Sequence, residues 1–142
     1  MINPLIKIID RGNDPTGFGH FGAKRGKRKH KGHDVLSTKG ESVVSMINGT
    51  VTKIGYAYSN ALQFRYVEVT NDFFRVWLMY LEHDNLKVGQ YVCEGERVGY
   101  ALDIASYHNS KRKDGKKMKN HIHIQVWKNG ILVDPKQYLN YN

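Results

Sequence analysis

Cysteine is almost missing from this sequence: Cys93 is the only one in 142 residues. A single thiol forms no internal disulfide and builds no cysteine-rich zinc site. Any metal the chain holds is therefore held by histidine and carboxylate. Long apolar runs are missing too, and nothing approaches the roughly 18–20 residues a membrane-spanning helix needs. The first ten residues, Met1–Asp10, lack the charged segment and apolar stretch of a secretory leader. The expectation is a leader removed beforehand or another route out of the cell. Helical periodicity is the third absence, and no helix of ordinary length is expected.

The residues present describe a globular chain. Apolar residues make up 40%, and a chain of this length buries roughly 68–70% of its unfolded surface, so no disulfide staple is needed. One domain over residues 1–142 is expected, with residues 1–16 as an N-terminal extension. The formal net charge of +9 favours anionic partners: nucleic acid, anionic lipid or anionic cell-wall polymers.

Residues 1–41 read as loop, densely punctuated by glycine, with a first basic run from Lys24 to Lys31. From Ser42 the pattern turns to short β runs. Val43–Ile47 and Thr50–Ile54 flank Asn48-Gly49, a two-residue hairpin signal. Further strands are predicted at Gln63–Thr70, Phe73–Leu81, Gln90–Val92, Arg97–Leu102 and His121–Trp127. A second Asn-Gly turn at Asn129-Gly130 precedes Ile131–Val133, and one helical turn is predicted between Asp134 and Tyr138. Asp103–Asn120 reads as a long polar insertion with a second basic run. The fold class is mainly antiparallel β, as a sheet or open sandwich.

Seven histidines carry the chemistry, and the informative pair is His121-Ile122-His123. Alternate strand residues share a face, so both imidazoles project together while Ile122 and Ile124 turn to the core. Such a pair suits a metal site, or is simply two surface histidines. A second cluster, His30-Lys31-Gly32-His33-Asp34, offers nitrogen and oxygen donors, with His33 a rival ligand by spacing. His83 ends an apolar strand, where its ring has a route to a cleft.

Taken together these motifs resemble the M23, or lysostaphin/LytM-type, peptidoglycan endopeptidases. His30-x-x-x-Asp34 and His121-x-His123 match the family's two catalytic motifs in order. Lys87–Val92 and Gly95–Gly99 are similar to the strand–turn–strand between them, and Phe21–Gly26 and Trp127–Pro135 are similar to flanking segments. The resemblance runs from about Gly17 to Leu139. It implies an antiparallel sheet with an active-site groove, zinc held by His30, Asp34 and His123, and His121 and His83 as catalytic imidazoles. It also implies peptidoglycan as substrate, at the cell wall. The short form without a leader resembles phage-encoded members. Four departures stand out: the basic insertion replaces a glycine-rich stretch, Gln125 stands where an acidic residue is common, Tyr80 is one residue further from His83 than the family's Tyr-x-His spacing, and His33 replaces an aliphatic residue.

The basic runs flank both motifs. Lys24, Arg25, Lys111 and Lys113 are the residues expected to hold anionic groups of a wall substrate, against a reading in which they only solubilise the surface. Two rivals belong to other classes. A catalytically silent wall-binding or hydrolase-activating protein would lack metal ligands, and none is missing here. A nucleic-acid-binding β-barrel needs aromatics among its basic residues, and the lysine-rich runs have none. A biotinyl-type carrier is set aside because the Asn48-Gly49 turn has no lysine.

Overall fold

The computed structural model describes residues 1–141. Its strands are β1 (Asn13–Asp14), β2 (Gly17–Phe18), β3 (Lys24–Arg25), β4 (Arg28–Lys29), β5 (His33–Leu36), β6 (Ser42–Val44), β7 (Gly49–Tyr56), β8 (Arg65–Thr70), β9 (Phe74–His83), β10 (Tyr91–Val92), β11 (Arg97–Ala101), β12 (His121–Lys128) and β13 (Ile131–Val133). One helix, α1 (Ile104–Lys111), and a short 3₁₀ turn at Pro135–Tyr138 complete the chain. Nine strands form one sheet with the order β10-β7-β8-β9-β11-β6. β12 lies beside β9 and also pairs with β5 and β13. All pairings are antiparallel, so the fold is mainly β, as the patterning implies. No helix among the described residues is long and apolar enough to cross a membrane.

Alternation along β12 sets the core. Ile122, Ile124 and Val126 are fully excluded from water and pack with Val35, Val67, Leu78 and Leu81. Burying such a side chain is worth roughly 1.5–3 kcal/mol each. His121, His123 and Gln125 take the opposite face, since side chains alternate across the strand. Leu5 and Ile8 are buried in the same core, so the N-terminal segment packs as part of the fold.

β9 is the branching strand. One edge pairs with β8 from Arg75 to Leu81. The other pairs with β12 from Phe74 to Met79 and with β11 from Leu81 to His83. The sheet therefore forks at Tyr80.

Three sequence expectations fail for identifiable reasons. The Asn48-Gly49 hairpin does not form: β6 pairs with β11, whereas β7 pairs with β8 and β10. A type I′ turn needs positive φ at both central residues, and neither Asn48 nor Gly49 has it. Asn48 instead accepts the Glu94 amide on Oδ1 at 2.8 Å. Gly49 lies against β8, where a Cβ would come within 2.5 Å of the Thr70 carbonyl. Asn129-Gly130, at φ 49° and 81°, does make its hairpin, joining β12 to β13.

The polar insertion contains α1. Asp103 caps it, accepting from the Ser106 amide at 2.9 Å and from its hydroxyl at 2.8 Å. Only Ile104 and Ala105 of the helix are buried, so no apolar period announces it. Ile104 packs with Ala61 and Phe64, and Tyr58, Tyr80 and Tyr107 lie against them. This fixes the helix over the mouth of the fork. Third, His33–Asp34 is not loop: it opens β5, with Asp34 paired to His123 and His33 to Ile124.

Candidate metal centre

Strand register builds the site. Because Asp34 lies directly opposite His123 across β5 and β12, their side chains meet on one face. His30 reaches in from the turn before β5. Its Nε2 lies 3.0 Å from His123 Nδ1 and 3.3 Å from Asp34 Oδ1. His123 Nδ1 lies 2.8 Å from Asp34 Oδ1. Among the described residues, these three are the group whose donor atoms all converge.

The triangle fits zinc. Donors in a tetrahedral site at about 2.0–2.1 Å from the ion lie about 3.3 Å from one another. The outward nitrogens are also occupied. His30 Nδ1–H donates to the His20 carbonyl at 2.9 Å, and His123 Nε2–H to Gln125 Oε1 at 2.8 Å. Each bond fixes the tautomer that leaves the inward nitrogen unprotonated, as metal-ligating histidines require. Gln125, standing where an acidic residue was expected, thus serves as the oxygen behind His123. Gly32 leaves the room this needs: a Cβ there would meet the Ile124 carbonyl oxygen at 2.1 Å and the His123 ring at 2.7 Å.

Asp34 is almost wholly buried. Burial alone would raise its pKa, but the neighbouring imidazoles of His123, His30 and His121 hold it well below the usual carboxylate range. Its second oxygen accepts Arg11 Nη1 at 3.0 Å. Arg11 is itself buried and also grips Asp14 through Nε at 2.8 Å and Nη2 at 3.1 Å.

His121 lies beside this cluster, its Nε2 3.6 Å from Asp34 Oδ2. Its Nδ1–H donates to the Lys119 carbonyl at 2.8 Å, so Nε2 carries a free lone pair toward the site. Burial lowers its pKa, partly offset by Asp34. The cluster opens into a cavity of about 220 Å³, walled further by Arg25, Tyr58, Tyr80, His108 and Met118.

The other expected residues separate. His83 does not line this cavity: it closes β9 beyond the fork, and its Nδ1 accepts the Leu86 amide at 3.2 Å. His33, the rival ligand, is carried by strand alternation to the far face, where Nε2 meets Asp10 at 2.8 Å. Arg25 reaches the cavity wall and donates to the Phe18 carbonyl. Lys24 lies on the small β3–β4 ribbon. Lys111 bonds the Tyr107 hydroxyl at 2.8 Å, and Lys113 is exposed; none of these three lines the cavity.

Sequence reasoning missed Arg11, Tyr58, Tyr80 and His108. The one trace is in β9, where the core-facing residues run Val76, Leu78 and then Leu81. That break in period two marks the displacement of Tyr80.

Solved structures share this architecture. The catalytic domain of the antimicrobial peptidase lysostaphin from Staphylococcus simulans superposes with a TM-score of 0.60 at 21% identity, over 89% of this chain and 91% of that one. LytU gives a TM-score of 0.60 at 26% identity, over 92% and 84%. A zinc-containing peptidase from Vibrio cholerae gives 0.59 at 21%, over 92% of this chain but 37% of that longer one. Residues 28–135, 108 of the 142, match the model of peptidase family M23 and span every member of the converging cluster; the chain belongs to peptidase family M23.

Proposed function

We propose that this chain is a zinc metalloendopeptidase that hydrolyses peptide bonds of bacterial peptidoglycan, in cross-links or stem peptides. It would act at the cell wall, whether extracellular, periplasmic or virion-associated. The observation that carries the reading is the convergence of His30, Asp34 and His123 within 2.8–3.3 Å, with a free imidazole nitrogen of His121 beside them. Family membership and the likeness to the peptidase lysostaphin support the substrate class.

His30 Nε2, Asp34 Oδ1 and His123 Nδ1 would hold the metal. Zinc there supplies a Lewis acid for the scissile carbonyl and lowers the pKa of a water to about 7. His121 Nε2 accepts the proton of that water as its oxygen bonds to the carbonyl carbon. The same nitrogen then returns the proton to the leaving amine as the C–N bond breaks, giving a carboxylic acid and an amine that end as carboxylate and ammonium. Asp34, fixed by Arg11, keeps the site anionic and rigid. Arg25 on the cavity wall offers a cation to a substrate carboxylate or an anionic wall polymer.

The test is digestion of purified peptidoglycans of several cross-link types, with products identified by mass spectrometry. A chelator and His121→Ala serve as controls. New termini that vanish in both controls are expected, with the His121→Ala rate down by roughly 10²–10⁴ and its zinc retained. A zinc-loaded protein that cuts no wall of any type refutes the reading and leaves a silent wall-binding or hydrolase-activating protein. Tight, steeply salt-dependent oligonucleotide binding in its place points to nucleic acid.

A further inference from the structure

Tyr80 occupies an unusual place in β9. On one edge of the strand Arg65 pairs with Leu81 and Tyr66 with Met79, so Tyr80 is the extra residue of a β-bulge. Its φ is 72°, a left-handed conformation that bulky residues rarely adopt. On the other edge, Met79 pairs with His123 of β12 and Leu81 with Ala101 of β11, so the bulge is the fork of the sheet. Strict alternation would send residue 80 into the core with Leu78. The bulge re-aims it, as bulges beside active sites do, onto the cavity wall.

There its ring stands edge-on to His121, centroids 5.5 Å apart, and 6.1 Å from His123. It lies parallel to Tyr58 at 6.0 Å, and the Tyr58 hydroxyl is fixed by His108 Nε2 at 3.0 Å. A left-handed aromatic persists only where its surroundings over-determine it, and such outliers cluster where they serve function.

We infer that the Tyr80 hydroxyl is the hydrogen-bond donor that stabilises the oxyanion developing at the scissile carbonyl, the task expected of a second imidazole. The inference rests on the peptidase reading above. A phenol is a neutral O–H donor at physiological pH, and a donor carried on a ring packed into the cavity wall acts most strongly where charge develops. Tyr80 keeps its proton throughout. The carbonyl π electrons move onto oxygen as the water oxygen bonds to carbon, and they return as the C–N bond breaks, with His121 supplying the proton to the amine. His83, turned to the Leu86 amide, has no part in this.

The test compares zinc-loaded wild type, Tyr80→Phe, Tyr80→His and His83→Asn. Two readouts are used: kcat and KM on the wall peptide that wild type cuts, and calorimetric binding of a phosphinic analogue of the cut bond, which mimics the tetrahedral anion. Tyr80→Phe is expected to lose about 100-fold in kcat and in phosphinate affinity. Its KM, zinc content and melting temperature stay close to wild type. Tyr80→His restores an N–H donor and is expected to recover part of both losses, while His83→Asn keeps near-full activity. A role in packing alone predicts the reverse order, Phe above His, and that order overturns the inference. So does Tyr80→Phe with undiminished kcat. If Tyr80→Phe does not fold, Tyr80→His with no activity despite bound zinc overturns it. A wild-type protein that holds zinc and cuts no wall overturns the peptidase reading itself, and this inference with it.

Discussion

Replacing Arg11 by methionine should show how firmly the metal centre depends on a residue outside its ligand set. The guanidinium is 4% exposed and makes four side-chain hydrogen bonds: Nε and Nη2 to Asp14, Nη1 to Asp34, and Nη2 to Thr16 Oγ1 at 2.7 Å. Methionine fills much of the volume and supplies none of them. Two carboxylates buried to 5% and 2% exposure lose their cation. Removing one partner of a buried ion pair costs about 3–5 kcal/mol, because the stranded charge stays behind. For a chain of this size that is a fall in melting temperature of roughly 10–20 °C. Zinc should blunt the loss, since a cation at the His30–Asp34–His123 cluster neutralises one of the two carboxylates. The assay is thermal denaturation of both proteins after chelation and after zinc loading. The chelated proteins should differ by the full amount and the loaded ones by less. Adding Asp14→Asn to the variant should recover part of the loss. Equal shifts of under about 3 °C in both states would refute the coupling of Arg11 to the site.

Three further outcomes follow from the same geometry. Gln125→Leu removes the oxygen behind His123 Nε2 and should weaken zinc binding about 10–100-fold, read by competition with a chromogenic chelator, whereas Gln125→Glu should keep it. Gly32→Ala places a Cβ 2.1 Å from the Ile124 carbonyl oxygen; it should cost about 3 kcal/mol or more and reduce zinc content, seen by denaturant titration and metal analysis. The Asp14 carboxyl is held well below its usual pKa: burial pushes it up, but hydrogen bonds from Arg11, Thr16 and the Lys119 amide outweigh that. Its contribution is therefore present above the unfolded value of about 3.9 and lost as pH falls from there toward the folded one, so melting temperature should drop more steeply between pH 5 and pH 3 in wild type than in Asp14→Asn.

Much of the β architecture is readable because period two survives in the strands: Val67 and Val69, Val76 and Leu78, Ile122 and Ile124 mark core faces without reference to anything distant. The histidines of the candidate site are readable for a related reason, since His121-x-His123 needs only a strand to put two imidazoles on one face. The legible part ends where long-range contacts take over. Asn48-Gly49 carries a hairpin signal, yet the segment from Ser45 to Asn48 is claimed by Glu94, Gly95 and Glu96, residues nearly fifty positions away. α1 has an Asp103 cap but no apolar stripe. Arg11 looks like any loop arginine until folding buries it between two aspartates. His83 has the right residue type near the right motif, but it lies beyond the bulge that turns Tyr80 to the cavity wall.

The ligands of the cluster are far apart in the chain, and that spacing has a consequence for synthesis. Asp34 and His123 are 89 residues apart, and they meet only when β5 zips onto β12, one of the last strands made. At translation rates of about 5–20 residues per second, the first two ligands wait roughly 4–18 s for the third. A histidine and an aspartate alone grip zinc poorly, so metal capture by this cluster would fall late and coincide with closure of the sheet. A chain truncated before residue 123 would thus lack the third donor of the cluster.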